Sequence, residues 1–203
     1  PGEEVCNGKD DDCDGMADEP KNTPGTNPSY VKDDVVKVKN DRWMYKYEAS
    51  RVDAEAAKQG IINSRTCSRA GVLPWTNVTY TEADAACKSV NMTLCELDDW
   101  IDACTGPLGT CTWSTAGSCT TYTPGTCNGH DVNTQAGQAE SDVLKATGGS
   151  ADCYADFGSA GRVFDLSGNA KEWTVGGNSP TANPVRGGSY NNGPEGLRCD
   201  FDF

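Results

Sequence analysis

The sequence predicts an α+β chain with few helices, short strands and a large share of loop, preceded by a small acidic segment. Three observations carry that expectation. The composition is loop-forming, with 23 Gly, 10 Pro and only 36% hydrophobic residues in 203. Two stretches repeat small or apolar residues at helical spacing, and one alternates apolar and polar residues as a half-buried strand does. Eight acids and one lysine crowd into residues 1–19, ahead of a Pro-rich break.

Residues 1–19 read PGEEVCNGKDDDCDGMADE. Calcium takes oxygen ligands from alternate positions of a loop that turns at a glycine. With Asp10 as the first ligand, Asp12 and Asp14 follow at alternate positions, Gly15 is the turn residue, Met16 offers its carbonyl and Asp18 comes fifth. Lys21 stands where such loops place a bidentate Glu, so Glu19 is the substitute in a shortened loop. Cys6 and Cys13 bracket the acids, and a ring closed between them would hold the acids together against their repulsion. The alternative is a solvated acidic tail with a local disulfide. The segment is similar to short calcium-binding repeats of thrombospondin type in secreted bacterial proteins.

Residues 20–34, with Pro20, Pro24, Gly25 and Pro28, have linker composition and set the boundary of a domain over residues 35–203. Val36, Val38, Trp43, Tyr45 and Tyr47 then alternate with polar residues as a strand. Ala54 to Gln59 reads as a short helix. Thr79 to Asn91 reads as a longer one, with Thr81 to Asp84 spaced like a capping box and Ala83, Ala86, Cys87 and Val90 on one face. The next helix carries Leu97, Trp100, Ile101 and Cys104 inward and stops before Gly106. Residues 105–153 are too poor in aliphatics to build a core. Cys111, Cys119, Cys127 and Cys153, with Cys104 just before, predict loops stapled by disulfides over the helices.

The most informative stretch runs from Val163 to Tyr190. It combines an apolar opening, a Gly168-Asn169 turn, a carboxylate at Glu172, an aromatic anchor at Trp173 and a second turn at Gly187-Gly188. An Asn oxygen, a Glu three residues later and the carbonyls of a tight turn are hard ligands that one calcium ion can share. A solvated Gly/Asn hairpin is the alternative. The motifs Gly-Asn-x-x-Glu-Trp-Thr and Arg-Gly-Gly-Ser-aromatic resemble the signature of the formylglycine-generating enzyme, or sulfatase-modifying factor, family. Trp43 to Ser50, Pro74 to Ala83 and Leu94 to Trp100 resemble that family's opening strand, its approach to the first helix and the start of its second. The resemblance spans residues 35–203 and implies an irregular, loop-rich C-type-lectin-like fold with short antiparallel strands. It also implies a structural calcium site at Gly168, Asn169, Ala170 and Glu172, with a looser second match between Asp152 and Asp165. The family continues into a final strand that this chain lacks, which makes Cys199 the expected cysteine without a partner.

The family's enzymes oxidise a substrate cysteine with copper held by two thiolates shortly after the Gly-Gly-Ser-aromatic turn, because Cu(I) is a soft ion. The resemblance places those two positions at Asn192 and Leu197, which offer no thiolate. The related sulfoxide synthases need several histidines, and His130 is the sole one. No Gly-x-Ser-x-Gly elbow supports a serine hydrolase. The expectation is therefore a non-catalytic, calcium-stabilised module for adhesion or assembly at a cell surface. Its loops at 105–153 and 174–197 would meet a protein partner, or a glycan as the lower-ranked choice. An oxidase using Cys199 and a second thiol is the competing expectation.

The global numbers set bounds on these readings. A net charge of -13 disfavours nucleic acid and anionic membranes as partners. No apolar run approaches the roughly 18 residues of a membrane span. Eleven scattered cysteines beside a single histidine favour disulfides and an extracellular, cell-surface or periplasmic setting over zinc. Pro1 as the first residue reads as the start of a processed product or of a trimmed chain. Asn77-Val78-Thr79 and Asn91-Met92-Thr93 match the glycosylation pattern at near-chance frequency.

Overall fold

The computed structural model describes residues 4–18, 35–107, 109, 111–114, 119–132, 142–176 and 184–203. Strands β1 (Val35–Lys39) and β2 (Arg42–Tyr45) form an antiparallel hairpin with Val36 opposite Met44. The hairpin buries Val36 and Met44, so on β2 the face expected inward from the alternation of Trp43 and Tyr45 is not the buried one, and Trp43 is exposed. Tyr47 lies past β2 and stacks on Phe164, ring centroids 5.3 Å apart. Strands β3 (Ala49–Arg51) and β4 (Thr66–Ser68) pair antiparallel with Ser50 opposite Cys67.

The helix expected over Ala54 to Gln59 does not form. Glu55 and Lys58 exchange backbone hydrogen bonds of 2.8 and 3.3 Å in a tight bridge. Asp53 accepts from the N–H groups of Ile61 and Ile62, and Gly60 adopts φ +74°. Six residues make too short a helix to repay nucleation when a side chain competes for the backbone.

Helix α1 (Tyr80–Ser89) does form, and its capping box sits two residues earlier than the spacing of Thr81 and Asp84 suggests. Thr79 Oγ1 accepts from Glu82 N at 3.3 Å, while Thr79 N donates to Glu82 Oε2 at 2.8 Å. Glu reaches back across three residues more easily than the shorter Asp. Strand β5 (Cys95–Glu96) runs directly into helix α2 (Leu97–Thr105), which buries Leu97, Trp100 and Cys104 and ends at Gly106 with φ +73°. Beyond it, β6 (Tyr154–Asp156) and β7 (Arg162–Phe164) pair antiparallel. Strand β8 (Glu172–Val175) lies antiparallel to β9 (Val185–Arg186) and parallel to β5, a pairing that the long crossover through α2 permits. The chain is thus a loop-rich mixture of two helices and small, mostly antiparallel sheets among the described residues.

Sulfur supplies much of the core. Cys104, Cys111, Cys127, Cys153 and Cys199 pack with Val36, Met44, Trp100, Trp113, Val163 and Leu166 in one buried cluster. Cys111–Cys119 and Cys127–Cys153 staple the loops after α2, as expected. Two other expectations are corrected. Cys6 bonds to Cys67 rather than Cys13, because it sits in a small apolar cluster with Cys67 and Val52 while Cys13 is exposed. Cys199 bonds to Cys104, and the cysteines without a disulfide are Cys13, Cys87 and Cys95. The Cys6–Cys67 bond spans 61 residues and ties the acidic segment to β4, worth about 4 kcal/mol in the chain-entropy account. No helix among the described residues is long and apolar enough to cross a membrane.

Candidate metal centres

Bonds to peptide N–H groups gather the N-terminal acids. Glu4, 2% exposed, accepts from Asp11 N at 2.7 Å, Asp12 N at 2.9 Å and Asp18 N at 2.7 Å. Asp10 accepts from Asp14 N and Gly15 N at 3.1 and 2.9 Å. One carboxylate oxygen from each of Glu4, Asp10 and Asp12 lies within 4.8 Å of the others, and Asp12 Oδ1 is buried without a hydrogen-bond partner. Three acids converging on one point with an unsatisfied oxygen form a donor set that suits a hard cation.

That set overlaps only partly with the alternating positions. Asp10 and Asp12 belong to it. Asp14 instead accepts from Met16 N at 2.9 Å, and Met16 is exposed. Asp18 is buried and spends its carboxylate on the N–H groups of Asn7 and Gly8. Glu19 lies outside the described residues. Sequence reasoning missed Glu4, which precedes the loop and falls on no ligand spacing; the only hint was an acid beside Cys6.

The second centre surrounds the Gly168-Asn169 turn. Gly168 adopts φ +77°, and a Cβ there would stand 2.4 Å from the Asn128 carbonyl, so only glycine fits. Asn169, fully buried at φ +59°, accepts from Asn128 Nδ2 and Lys145 N, each at 2.8 Å, through Oδ1. Its Nδ2 donates to Glu48 and to the Lys145 carbonyl. Asn169 therefore acts as a hub that joins three segments. Glu48 also accepts from Ala170 N at 2.7 Å, which places it under the turn. Glu48 lies within the Trp43 to Ser50 stretch, and its partner Asn169 is 121 residues away, so no local spacing marks it.

Glu172 differs from its neighbours. Both of its carboxylate oxygens are buried without a hydrogen-bond partner. A side chain on Gly187 would meet Glu172 Oε2 at 2.2 Å and the Leu166 carbonyl at 3.1 Å, so Gly187 leaves the space beside these oxygens open. Burial and then the charge of Glu48 push the Glu172 carboxyl well above the usual range. Burial and then Asp165 do the same to Glu48. Burial raises Asp165 to about 7, opposed by the Gly148 N–H and Lys145. With so little compensation, burial favours the protonated form of these carboxyls unless a cation lies beside one of them; the three do not form a cluster that one ion could join, as Glu4, Asp10 and Asp12 do. An unpartnered carboxylate beside a backbone carbonyl fits calcium in donor type.

Neither position that the resemblance assigns to a copper thiolate is a cysteine. Asn192 Oδ1 accepts from Ser189 N and Ser189 Oγ, both at 2.9 Å. Leu197 is fully buried and packs over Gly129 and Gly188. Cys199 is held in its disulfide with Cys104. His130 is a surface residue whose Nδ1 meets Asp142 at 2.9 Å. No family model matches the chain, and no curated protein matches it.

Proposed function

We propose that this chain is a secreted, disulfide-rich, calcium-stabilised binding or structural module without catalytic activity, built on a sulfatase-modifying-factor-like scaffold. Calcium occupies the Glu4, Asp10 and Asp12 cluster and the Gly168 to Glu172 turn. The observation that carries this reading is Glu172, whose two buried carboxylate oxygens have no protein partner. The Cys104–Cys199 bond supports the absence of oxidase chemistry, since it removes the one thiol near the Asn192 and Leu197 positions. Four disulfides favour an oxidising, extracellular setting. The irregular loops are then free to contact a protein partner at the cell surface, or a glycan.

Calorimetric calcium titration with parallel elemental analysis tests the proposal. Two calcium ions per chain and no copper are expected, with Glu172→Gln and Glu4→Gln each losing one site. Stoichiometric copper, or formylglycine formed on a cysteine-containing sulfatase peptide in the presence of copper and oxygen, would sink it.

A further inference from the structure

Two of the disulfides touch one another. Cys199 Sγ lies 4.0 Å from Cys111 Sγ, so the Cys104–Cys199 and Cys111–Cys119 bonds are neighbours inside the core. Their accessibility is unequal. Cys104, Cys111 and Cys199 are buried, whereas Cys119 is partly exposed. A small thiol therefore reaches the pair through Cys119. An S–S bond is about 2.0 Å long, so a freed Cys111 needs to move roughly 2 Å to bond with Cys199.

We propose that these four cysteines form an exchange relay entered at Cys119. The thiolate of a small thiol attacks Cys119 Sγ, forms a mixed disulfide there and breaks the Cys111–Cys119 bond, whose electron pair leaves on Cys111. The Cys111 thiolate attacks Cys199 Sγ, the Cys104–Cys199 bond breaks, and Cys104 leaves as a thiolate and takes up a proton. One thiol is consumed and one appears, so neither an oxidant nor a reductant is required. Two hydroxyls stand beside the leaving group: Thr112 Oγ1 and Ser167 Oγ lie 3.4 and 3.6 Å from Cys104 Sγ and 2.7 Å from each other, so one can donate to the thiolate, and the Leu166 carbonyl at 3.7 Å accepts the S–H once Cys104 is protonated. The product ties the segment around Cys199 to Cys111 and releases it from α2.

Reduced glutathione is the probe, with an acid quench, N-ethylmaleimide alkylation and peptide mapping without reduction. Glutathione on Cys119, a Cys111–Cys199 cross-link and an alkylated Cys104 should rise together. Glutathione on Cys119 with Cys111 alkylated and Cys104–Cys199 intact would overturn the relay. In the Cys111→Ser/Cys119→Ser variant, glutathione should open Cys104–Cys199 at least about tenfold more slowly, since the neighbouring attack is lost; an unchanged rate would overturn it. Cys119→Ser leaves Cys111 free and should yield the Cys111–Cys199 bond without added thiol, whereas complete retention of Cys104–Cys199 in that variant would count against the relay.

Discussion

The acids of the N-terminal loop and the acids beneath the Gly168 turn are the same chemical groups in two different solvents. In the loop, Glu4 and Asp18 are buried but receive several peptide N–H groups, Asp10 and Asp14 are exposed, and a single oxygen, Asp12 Oδ1, is buried without a partner. Beneath the turn, Glu48 and Asp165 are only partly compensated and Glu172 has no hydrogen-bond partner for either oxygen. Satisfied carboxylates can hold a loop without an ion, whereas unsatisfied ones in an apolar core store a demand for protons or a cation. The contrast predicts that the two regions respond differently to mutation, to disulfide removal and to pH.

The largest effect should come from Asn169→Ala. It deletes a fully buried side chain that bonds Asn128, both backbone groups of Lys145, and Glu48. A loss of about 3–5 kcal/mol in urea unfolding is expected, because several buried groups lose their partners together. Next comes the double change Cys6→Ser/Cys67→Ser, expected to cost about 2–4 kcal/mol. It should also expose the N-terminal loop to protease while the core keeps its hydrogen-exchange protection. Equal loss of protection in both regions would show that the loop is integral to the domain.

The pH response separates the regions further. In chelated protein, Asp165 carries a carboxyl raised to about 7 in the fold, against an ordinary value near 4 when unfolded. The folded state therefore binds more protons between these values, and stability falls as pH rises from about 4 to about 7. Melting curves should show that decline, and Asp165→Asn should reduce its slope while keeping an acceptor for Gly148 N, with the raised carboxyls of Glu48 and Glu172 carrying the remainder. Free calcium at about a hundred times its dissociation constant should restore roughly 2.7 kcal/mol per site at neutral pH. A melting temperature that rises with pH in chelator would break the comparison.

Local signals made α1, α2, the first strand and the stapled loops legible. Ala86, Val90, Trp100 and Cys104 follow helical spacing, whereas the alternation of Trp43, Tyr45 and Tyr47 pointed to the wrong face of β2, whose buried residue is Met44. What escaped depends on distant or competing partners. Glu48 reaches Asn169 across 121 residues, and Cys6 reaches Cys67 across 61, separations that no local spacing encodes. The capping register turned on side-chain length, with Glu82 outcompeting Asp84. Of the acids that the alternation picked out, Asp10 and Asp12 do lie together, beside Glu4. Alternation could not register that Asp18 would instead serve the N–H groups of Asn7 and Gly8.

The smallest effect decides between two ligand sets for the N-terminal loop. If alternate positions bind calcium, Asp14→Asn and Asp12→Asn should weaken binding alike. The geometry favours Glu4, Asp10 and Asp12, with Asp12 Oδ1 buried and unpartnered and Asp14 exposed. Asp12→Asn should therefore lower calcium affinity about tenfold, by removing one charged ligand. Asp14→Asn should leave affinity nearly unchanged and shift stability by less than about 0.5 kcal/mol, as exposed substitutions do. Calorimetric titration of the two variants measures the difference directly. Equal losses would restore the alternating set and show that the loop rearranges around its ion, which would make its satisfied carboxylates a resting arrangement rather than the bound one.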